Sequence, residues 1–212
     1  MRFILISDTH GLHRKLRLPK GDVIIHAGDF CGNRSERDSR DFLKWFSSLP
    51  YSHKIFIGGN HDFFAARNPH SFEKLIPSNV IYLNDSGTQI GKLNIWGSPV
   101  QPDLEGWAFG KRRGEEMRPH WDLVPANTDI LITHTPPYGI LDQARSGSYL
   151  GCEILAEKLV TLKPKLHVFG HVHASYGRLE TETTTYVNAS NYNSNRGLVN
   201  EAVVFTLNND QV

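Results

Sequence analysis

An α/β fold with strands buried on both faces is what this chain predicts, on three observations. Apolar runs of four to six residues, rich in Ile, Val and Phe, recur along the sequence and end in glycine or polar clusters; such runs read as buried strands. Between them lie segments whose apolar residues fall at three- and four-residue spacings before a proline, the pattern of a helix and its stop. Residues of metal-ligand type sit just past the strand runs, where loops from several strands of an open α/β sheet converge on a ligand.

Taken in order, Phe3 to Ile6 leads into Ser7-Asp8-Thr9-His10, and Asp22 to His26 into Ala27-Gly28-Asp29. Ser35 to Ser48 sets Phe42, Leu43, Trp45, Phe46 and Leu49 at helical spacing before Pro50. Lys54 to Ile57 precedes Gly58-Gly59-Asn60-His61-Asp62, and Val80 to Ile95 predicts two or three short strands around Gly87 and Gly91. The charged, aromatic stretch from Leu104 to Leu123 predicts a helix or an active-site loop. Asp129 to Ile132 leads into Thr133-His134; Gly151 to Leu162 reads as a helix before Lys163-Pro164. His167 to Phe169 leads into Gly170-His171-Val172-His173, and Thr184 to Ala189 and Ala202 to Leu207 complete the strands. No linker, repeat or low-complexity run divides the chain, so residues 1–212 are expected to form one domain.

Composition excludes several classes. Hydrophobic residues make up 39% and charged residues 21%, an ordinary globular profile without long disorder or a coiled coil. The net charge of +1 provides no global field for nucleic acid or an acidic membrane, so stable nucleic-acid binding is not expected. No stretch approaches the roughly 20 apolar residues of a membrane span. The run before Asp8 is too short for a secretory signal, and two cysteines without a CxxC pair suit a reducing compartment. The expectation is a cytoplasmic protein.

The chemistry lies in Asp8, His10, Asp29, Asn60, His61, His134, His171 and His173, all just after predicted strands. Singly they are weak: Asp8-Thr9-His10 or Gly28-Asp29 occurs in plain turns, and a lone His134 is commonly a core histidine. His171 and His173, two apart in an extended segment, are expected to point to one side. Together the set resembles two adjoining metal sites. Carboxylate, amide and imidazole donors without thiolate suit Mn, Fe, Co or Zn better than Ca or Mg. One shared carboxylate holds such a pair ~3.5–4 Å apart, the spacing used for in-line displacement at phosphorus. Two divalent ions against Asp8 and Asp29 leave a positive focus suited to an anion.

The order D-x-H, G-D, G-N-H-D, H and G-H-x-H resembles the calcineurin-like metallophosphoesterase superfamily. Residues 19–30, Gly97-Ser98-Pro99 with Gly106-Trp107-Ala108-Phe109, Thr133 to Pro137 and Lys163 to Gly170 are similar to its metallophosphodiesterase-domain, UPF0046-like branch. That resemblance implies a four-layer αββα sandwich with a dinuclear site at the C-terminal ends of the strands. It implies Asp8, His10 and His173 on one ion, Asn60, His134 and His171 on the other, and Asp29 bridging both. It further implies phosphodiester hydrolysis, of cyclic or small nucleotides, by in-line attack of a metal-bridging hydroxide, with His61 facing the leaving group. Asp62 is expected to orient His61 or to be a turn carboxylate. A phosphomonoesterase with the same centre and a non-catalytic scaffold are the alternatives. The arginine that clamps phosphate in the protein phosphatases of the superfamily is missing at its expected place, since Phe30-Cys31-Gly32-Asn33-Arg34 follows Asp29.

The other histidines are expected to be ordinary: His26 and His167 packed within strands, and His13, His53, His70 and His120 structural or surface groups. Phe63, Phe64, Trp107 and Phe109 are expected in the core, those beside Gly59-Asn60-His61 in the core or lining a base pocket, and Arg112, Arg113, Arg145 and Arg178 on a solvated face.

Overall fold

Two sheets stacked face to face carry the chain in the computed structural model, which describes residues 1–103, 106–193, 197–198 and 200–208. In chain order come β1 (Arg2–Ile6), β2 (Val23–His26), α1 (Glu36–Ser48), β3 (His53–Phe56), α2 (Phe63–Arg67), α3 (Pro69–Glu73) and β4 (Ile81–Tyr82). Then follow β5 (Ser86–Ile90), β6 (Leu93–Ser98), β7 (Gln101–Asp103), β8 (Gly110–Arg112), α4 (Arg118–Asp122), β9 (Ile130–Thr133) and α5 (Glu153–Leu162). Last are β10 (Leu166–Phe169), β11 (Gly177–Glu180), β12 (Thr185–Asn188), β13 (Tyr192–Asn193), β14 (Gly197–Leu198) and β15 (Val203–Thr206).

One sheet runs β15-β1-β2-β3-β4, the other β11-β12-β10-β9-β6-β5. The strands that carry candidate ligands are parallel to their neighbours: β1, β2 and β3 in the first sheet, β9 and β10 in the second. Their C-terminal ends therefore share one side. Antiparallel strands appear at the margins, where β15 pairs with β1, β11 with β12 and β5 with β6.

Alternation along each strand explains the layers. Phe3, Leu5, Val23, Ile25, Ile130, Ile132, Leu166 and Val168 meet in a core between the sheets. Their neighbours Ile4, Ile6, Ile24 and Phe56 face outward onto Phe42, Leu43 and Phe46 of α1. On the far side, Leu131, Phe169 and Tyr186 pack on Trp121 and on Leu155 and Leu159 of α5. Helix, sheet, sheet, helix is the resulting order, as the resemblance implied.

The helices start where local chemistry dictates. Ser35 caps α1 by accepting from the Asp38 N–H at 3.2 Å. Cys152 caps α5 with its sulfur, which accepts from the Leu155 N–H at 3.4 Å and the Trp121 indole N–H at 3.3 Å. The stretch expected as helix or loop proves mixed: β8, a 3-10 turn at Glu115–Met117 and the short α4. Leu104, its first residue, lies outside the described residues. Among the described residues no helix is long and apolar enough to cross a membrane.

Candidate metal centre

Side chains from five strand ends meet where the two sheets touch. The sheets are stitched there by a parallel bridge between Ser7 and Ser190 and by the Asn191 N–H, which donates to the Ser7 carbonyl at 2.9 Å. Asp8 and His10 follow β1, Asp29 follows β2, Asn60 and His61 follow β3, His134 follows β9, and His171 and His173 follow β10.

The backbone is unusual at the donors themselves. Asp8, His10, Asp29 and His171 all have positive φ, from 43° to 67°. For residues with a Cβ this region is costly, and such strain concentrates at functional sites. The turns are braced elsewhere. Phe30, next to Asp29, stacks on Phe42 at 4.4 Å and on Phe72 at 6.0 Å, tying the Asp29 turn to the helical layer. Gly170 permits the closest approach between the sheets: a Cβ there would lie 2.2 Å from Asp8 Oδ2 and 2.1 Å from Ser7 Oγ.

Around Asp29 the donor atoms form two groups. In the first, His173 Nε2 lies 3.3 Å from Asp8 Oδ1 and 3.3 Å from His10 Nε2, and His10 Nε2 lies 3.9 Å from Asp29 Oδ2. In the second, Asn60 Oδ1 is 2.8 Å from both His134 Nε2 and His171 Nδ1, and His134 Nε2 is 3.5 Å from Asp29 Oδ2. His171 and His173 both line the cavity that holds Asn60 and Trp107, but not by strand alternation. His171 is left-handed and His173 begins a 3-10 turn, so the two-residue alternation breaks and each imidazole joins a different group.

The second group offers a test of whether a cation fits. His134 Nδ1 is 2.9 Å from the Ala27 carbonyl, which can only accept, so that nitrogen carries the proton. A neutral ring then presents a lone pair at Nε2 to the Asn60 oxygen. Two acceptors that close repel unless a cation, proton or metal, stands with them. Mixed N/O donors in this arrangement fit divalent transition ions.

Electrostatics agree with that picture. Burial opposes ionisation of Asp8 and Asp29, but neighbouring imidazoles hold both carboxyls below the usual range. Burial also opposes charge on His134, yet the Asp29 carboxylate outweighs it and lifts the ring to about 9. His173 rises too, against burial, through its contact with Asp8. His171 is pushed down by burial to about 4. A proton therefore sits on His134 in the metal-free protein at neutral pH. Metal loading at pH 7 is expected to release it, so that affinity rises with pH toward 9. Calorimetric titrations in buffers of different ionisation enthalpy check this; heats independent of buffer would contradict it.

His61 stands at the rim. Its N–H donates to Asp29 Oδ1 at 2.7 Å, while its ring Nε2 lies 4.0 Å from Asp29 Oδ2 and 27% of its side chain is exposed. Asp62 is fully buried, and its carboxylate accepts from the N–H groups of Gly59, Asp29 and Cys31 at 2.8–2.9 Å. These contacts make it a brace between two turns, and its hydrogen bonds among the described residues go to backbone rather than to the His61 ring. Burial and the charge of Asp29 push its carboxyl up to about 8, against those N–H donors. Asp62→Ala is expected to destabilise the fold by about 3 kcal/mol or more, since several buried donors lose their acceptor. An unchanged urea midpoint would refute the brace.

The strand histidines have buried roles beside the centre. His26 accepts from the Gly28 N–H at Nδ1, so its Nε2–H donates to Thr9 Oγ1 at 3.0 Å, between the two donors of the first motif. His167 Nε2 contacts Thr133 Oγ1 at 2.9 Å. Burial holds both rings near 3, hence neutral. His13 is buried beside Trp45, His120 pairs with Asp85 at 2.6 Å, and His53 and His70 lie away from the centre.

Three residues that the sequence did not place at the site join it. The Tyr192 ring lies 4.8 Å from His10 and 5.3 Å from His173. Trp107 lies 4.9 Å from His61. The Arg34 guanidinium sits 4.7 Å from the ring centres of both Phe63 and Trp107, with no carboxylate partner among the described residues. Arg113, Arg145 and Arg178 instead bond Glu153, Asn193 and Glu180. Phe64 and Phe109 pack at the margin of the outer core, and Arg112 is exposed.

Comparison with known proteins follows from this geometry. Residues 1–175 match the calcineurin-like phosphoesterase family. A human protein described as metallophosphoesterase domain-containing protein 1 is 39% identical over 230 residues, covering 97% of this chain and 71% of its own length. A UPF0046 protein of Caenorhabditis elegans is 35% identical, over 98% of this chain and 60% of its own. Among solved structures, the phosphopantetheinyl hydrolase of Mycobacterium tuberculosis has a TM-score of 0.59 over 89% of this chain and 88% of that chain. At 12% identity that likeness is one of fold.

Proposed function

This chain belongs to the calcineurin-like phosphoesterase family, a class of metal-dependent phosphoester hydrolases, and from that premise we propose that it cleaves phosphodiesters of cyclic or small nucleotides. The observation that supports a diester is the pair of cavities flanking the centre. One, about 660 Å³, is lined by His10, His61, His173 and Tyr192 among others. The other, also about 660 Å³, is lined by Asp29, Asn60, His61, His171, His173 and Trp107 among others. A diester has two organic arms, and a cavity on each side of His61 gives each arm a place. A monoester uses one.

In this reading Asp8, His10 and His173 hold one ion, Asn60, His134 and His171 the other, and Asp29 both. When bound, two such ions supply an activated water and neutralise charge that develops on phosphorus-bound oxygens. The protein's part is positioning. Asp29 is held by the Asp62 brace, His134 by the Ala27 carbonyl, and His171 by its N–H, which donates to the Asp8 carboxylate at 3.1 Å. His61, at the wall common to both cavities, donates a hydrogen bond or proton to the departing oxygen. Arg34, without a carboxylate partner among the described residues, adds a positive charge beside Trp107.

The reading takes residues 1–212 as one phosphoesterase domain, supported by the core the two sheets share. A reducing compartment such as the cytoplasm suits the two buried free thiols, Cys31 and Cys152. The test is metal-stripped protein reloaded separately with Mn, Fe, Co or Zn and assayed on aryl phosphodiesters and monoesters. Faster diester turnover is expected. Faster monoester turnover overturns the preference, and bound metal with no hydrolysis of either ester favours a scaffold.

A further inference from the structure

Each sheet carries one histidine that the chemistry of the centre leaves without a task. His26 ends β2 and His167 is the second residue of β10, and both are fully buried. Each ring stands under a helical layer. His26 lies 5.0 Å from Phe42 of α1, and His167 lies 4.9 Å from Phe169 and 5.9 Å from Tyr186, which pack on α5. Burying an imidazole under apolar side chains is costly unless its polar atoms are bonded, so those bonds point to the role.

Both rings make the same bond. The Gly28 N–H donates to His26 Nδ1 at 3.2 Å, so the proton of the neutral ring is on Nε2 and is donated to Thr9 Oγ1 at 3.0 Å. Thr133 Oγ1 donates its own proton to the Thr135 carbonyl at 2.6 Å, so it accepts from His167 Nε2, 2.9 Å away. In each case a histidine holds a threonine hydroxyl at the end of the neighbouring parallel strand, from β2 to β1 and from β10 to β9. The threonines stand next to donors in the chain. Thr9 lies between Asp8 and His10, whose φ values are 54° and 43°, and Thr133 precedes His134. Left-handed backbone at residues with a Cβ persists only where the surroundings hold it, and a hydroxyl can be held where a hydrocarbon cannot.

We propose that His26 and His167 are positioning residues, one for each donor group: His26 fixes Asp8 and His10 through Thr9, and His167 fixes His134 through Thr133. This rests on the dinuclear reading of the centre. Neither ring lines the two cavities there, so substrate contact is not their part. His26 also receives the Gly28 N–H, which joins the turn of Asp8 and His10 to the turn of Asp29. The Thr133 hydroxyl, bonded on both sides, closes the turn that carries His134. Contacts that orient a ligand from behind are worth about 10- to 100-fold in metal affinity.

The experiment titrates zinc into the metal-free protein and follows the imidazole signals by NMR, His10 and His173 reporting one group and His134 and His171 the other. Thr9→Val and Thr133→Val keep the shape of the side chain and remove only the hydroxyl. Thr9→Val is expected to weaken zinc at the His10 group about 10- to 100-fold and to leave the His134 group unchanged, and Thr133→Val to do the reverse. Thr9→Ser and Thr133→Ser, which keep the hydroxyl, are expected to restore wild-type affinity. Equal weakening of both groups, no weakening, or serine variants that fail to restore binding overturns the inference, since a merely structural bond has no preference between the groups. Before zinc is added, long-range 1H–15N spectra are expected to show both strand rings protonated at Nε2; a proton on Nδ1 of either overturns its bond. Wild-type protein that takes zinc at neither group removes the dinuclear reading itself. Two ions in the wild type, held equally well by the valine variants, remove only the positioning roles.

Discussion

Asp29→Ala is expected to leave the protein with neither ion and to lower kcat/KM by about 10³ or more. Loss of about 4 kcal/mol of charge stabilisation corresponds to that factor. The size of the effect follows from geometry rather than from charge alone. Asp29 Oδ2 lies 3.5 Å from His134 Nε2 in one donor group and 3.9 Å from His10 Nε2 in the other, so a single carboxylate faces both. Its second oxygen accepts the His61 N–H at 2.7 Å, and its removal also loosens the turn that carries the proposed proton donor. Elemental analysis of the variant after reloading is the direct measurement. Asp8→Ala serves as the control, since Asp8 contacts His173 at 3.3 Å in one group and its loss should deplete one ion more than the other. Two ions retained per chain in Asp29→Ala would show that the carboxylate does not bridge.

His61→Ala is the second large effect, with the opposite signature. Metal content should be unchanged, while kcat falls about 10²–10⁴-fold, the usual contribution of a positioned acid or base. The reason lies in where the ring sits. His61 is partly exposed, its Nε2 lies 4.0 Å from Asp29 with His10 close by, and it stands on the wall of both cavities. Burial lowers its pKa from the ordinary imidazole value, against the pull of Asp29, so near pH 7 the ring offers a hydrogen bond from one nitrogen. That donation to the departing oxygen matters most for a poor leaving group. The variant should therefore be impaired less with a nitrophenyl diester than with an alkyl one. An equal loss on both esters, or a loss of metal, would place His61 among the ligands instead.

Much of the centre was legible because each motif is local. A short apolar run followed by Asp8-Thr9-His10 or Gly59-Asn60-His61 marks a strand and what stands at its end, and parallel strands place those ends together without further information. The layers were legible for a similar reason: runs such as Phe3 to Ile6 and Ile130 to Ile132 are apolar at every position, so both faces had to be covered. What failed was the extended backbone expected at His171 and His173. Period-two reasoning holds only while the backbone is extended, and His171 at φ 67° has left that region. Positive φ at a histidine has no residue signature as glycine does. Asp62 was ambiguous for another reason, because its partners are backbone N–H groups, and these are identical at every position of a sequence.

The residues missed altogether are those whose role depends on long-range packing. Tyr192 reaches His10 from 182 positions away in the chain, brought there when the β12 end is stitched to the β1 end through Asn191 and Ser7. Arg34 has the right charge but acquires its place only by stacking on Phe63 and Trp107.

By itself the sequence determined the elements, their two-faced burial and which donor types stand at the strand ends, since these follow from local composition and periodicity. Tertiary structure decided which donors share a group, which side chain braces and which faces substrate, and where the organic arms can lie. Those are matters of angle and distance between segments far apart in the chain, set by how two sheets meet.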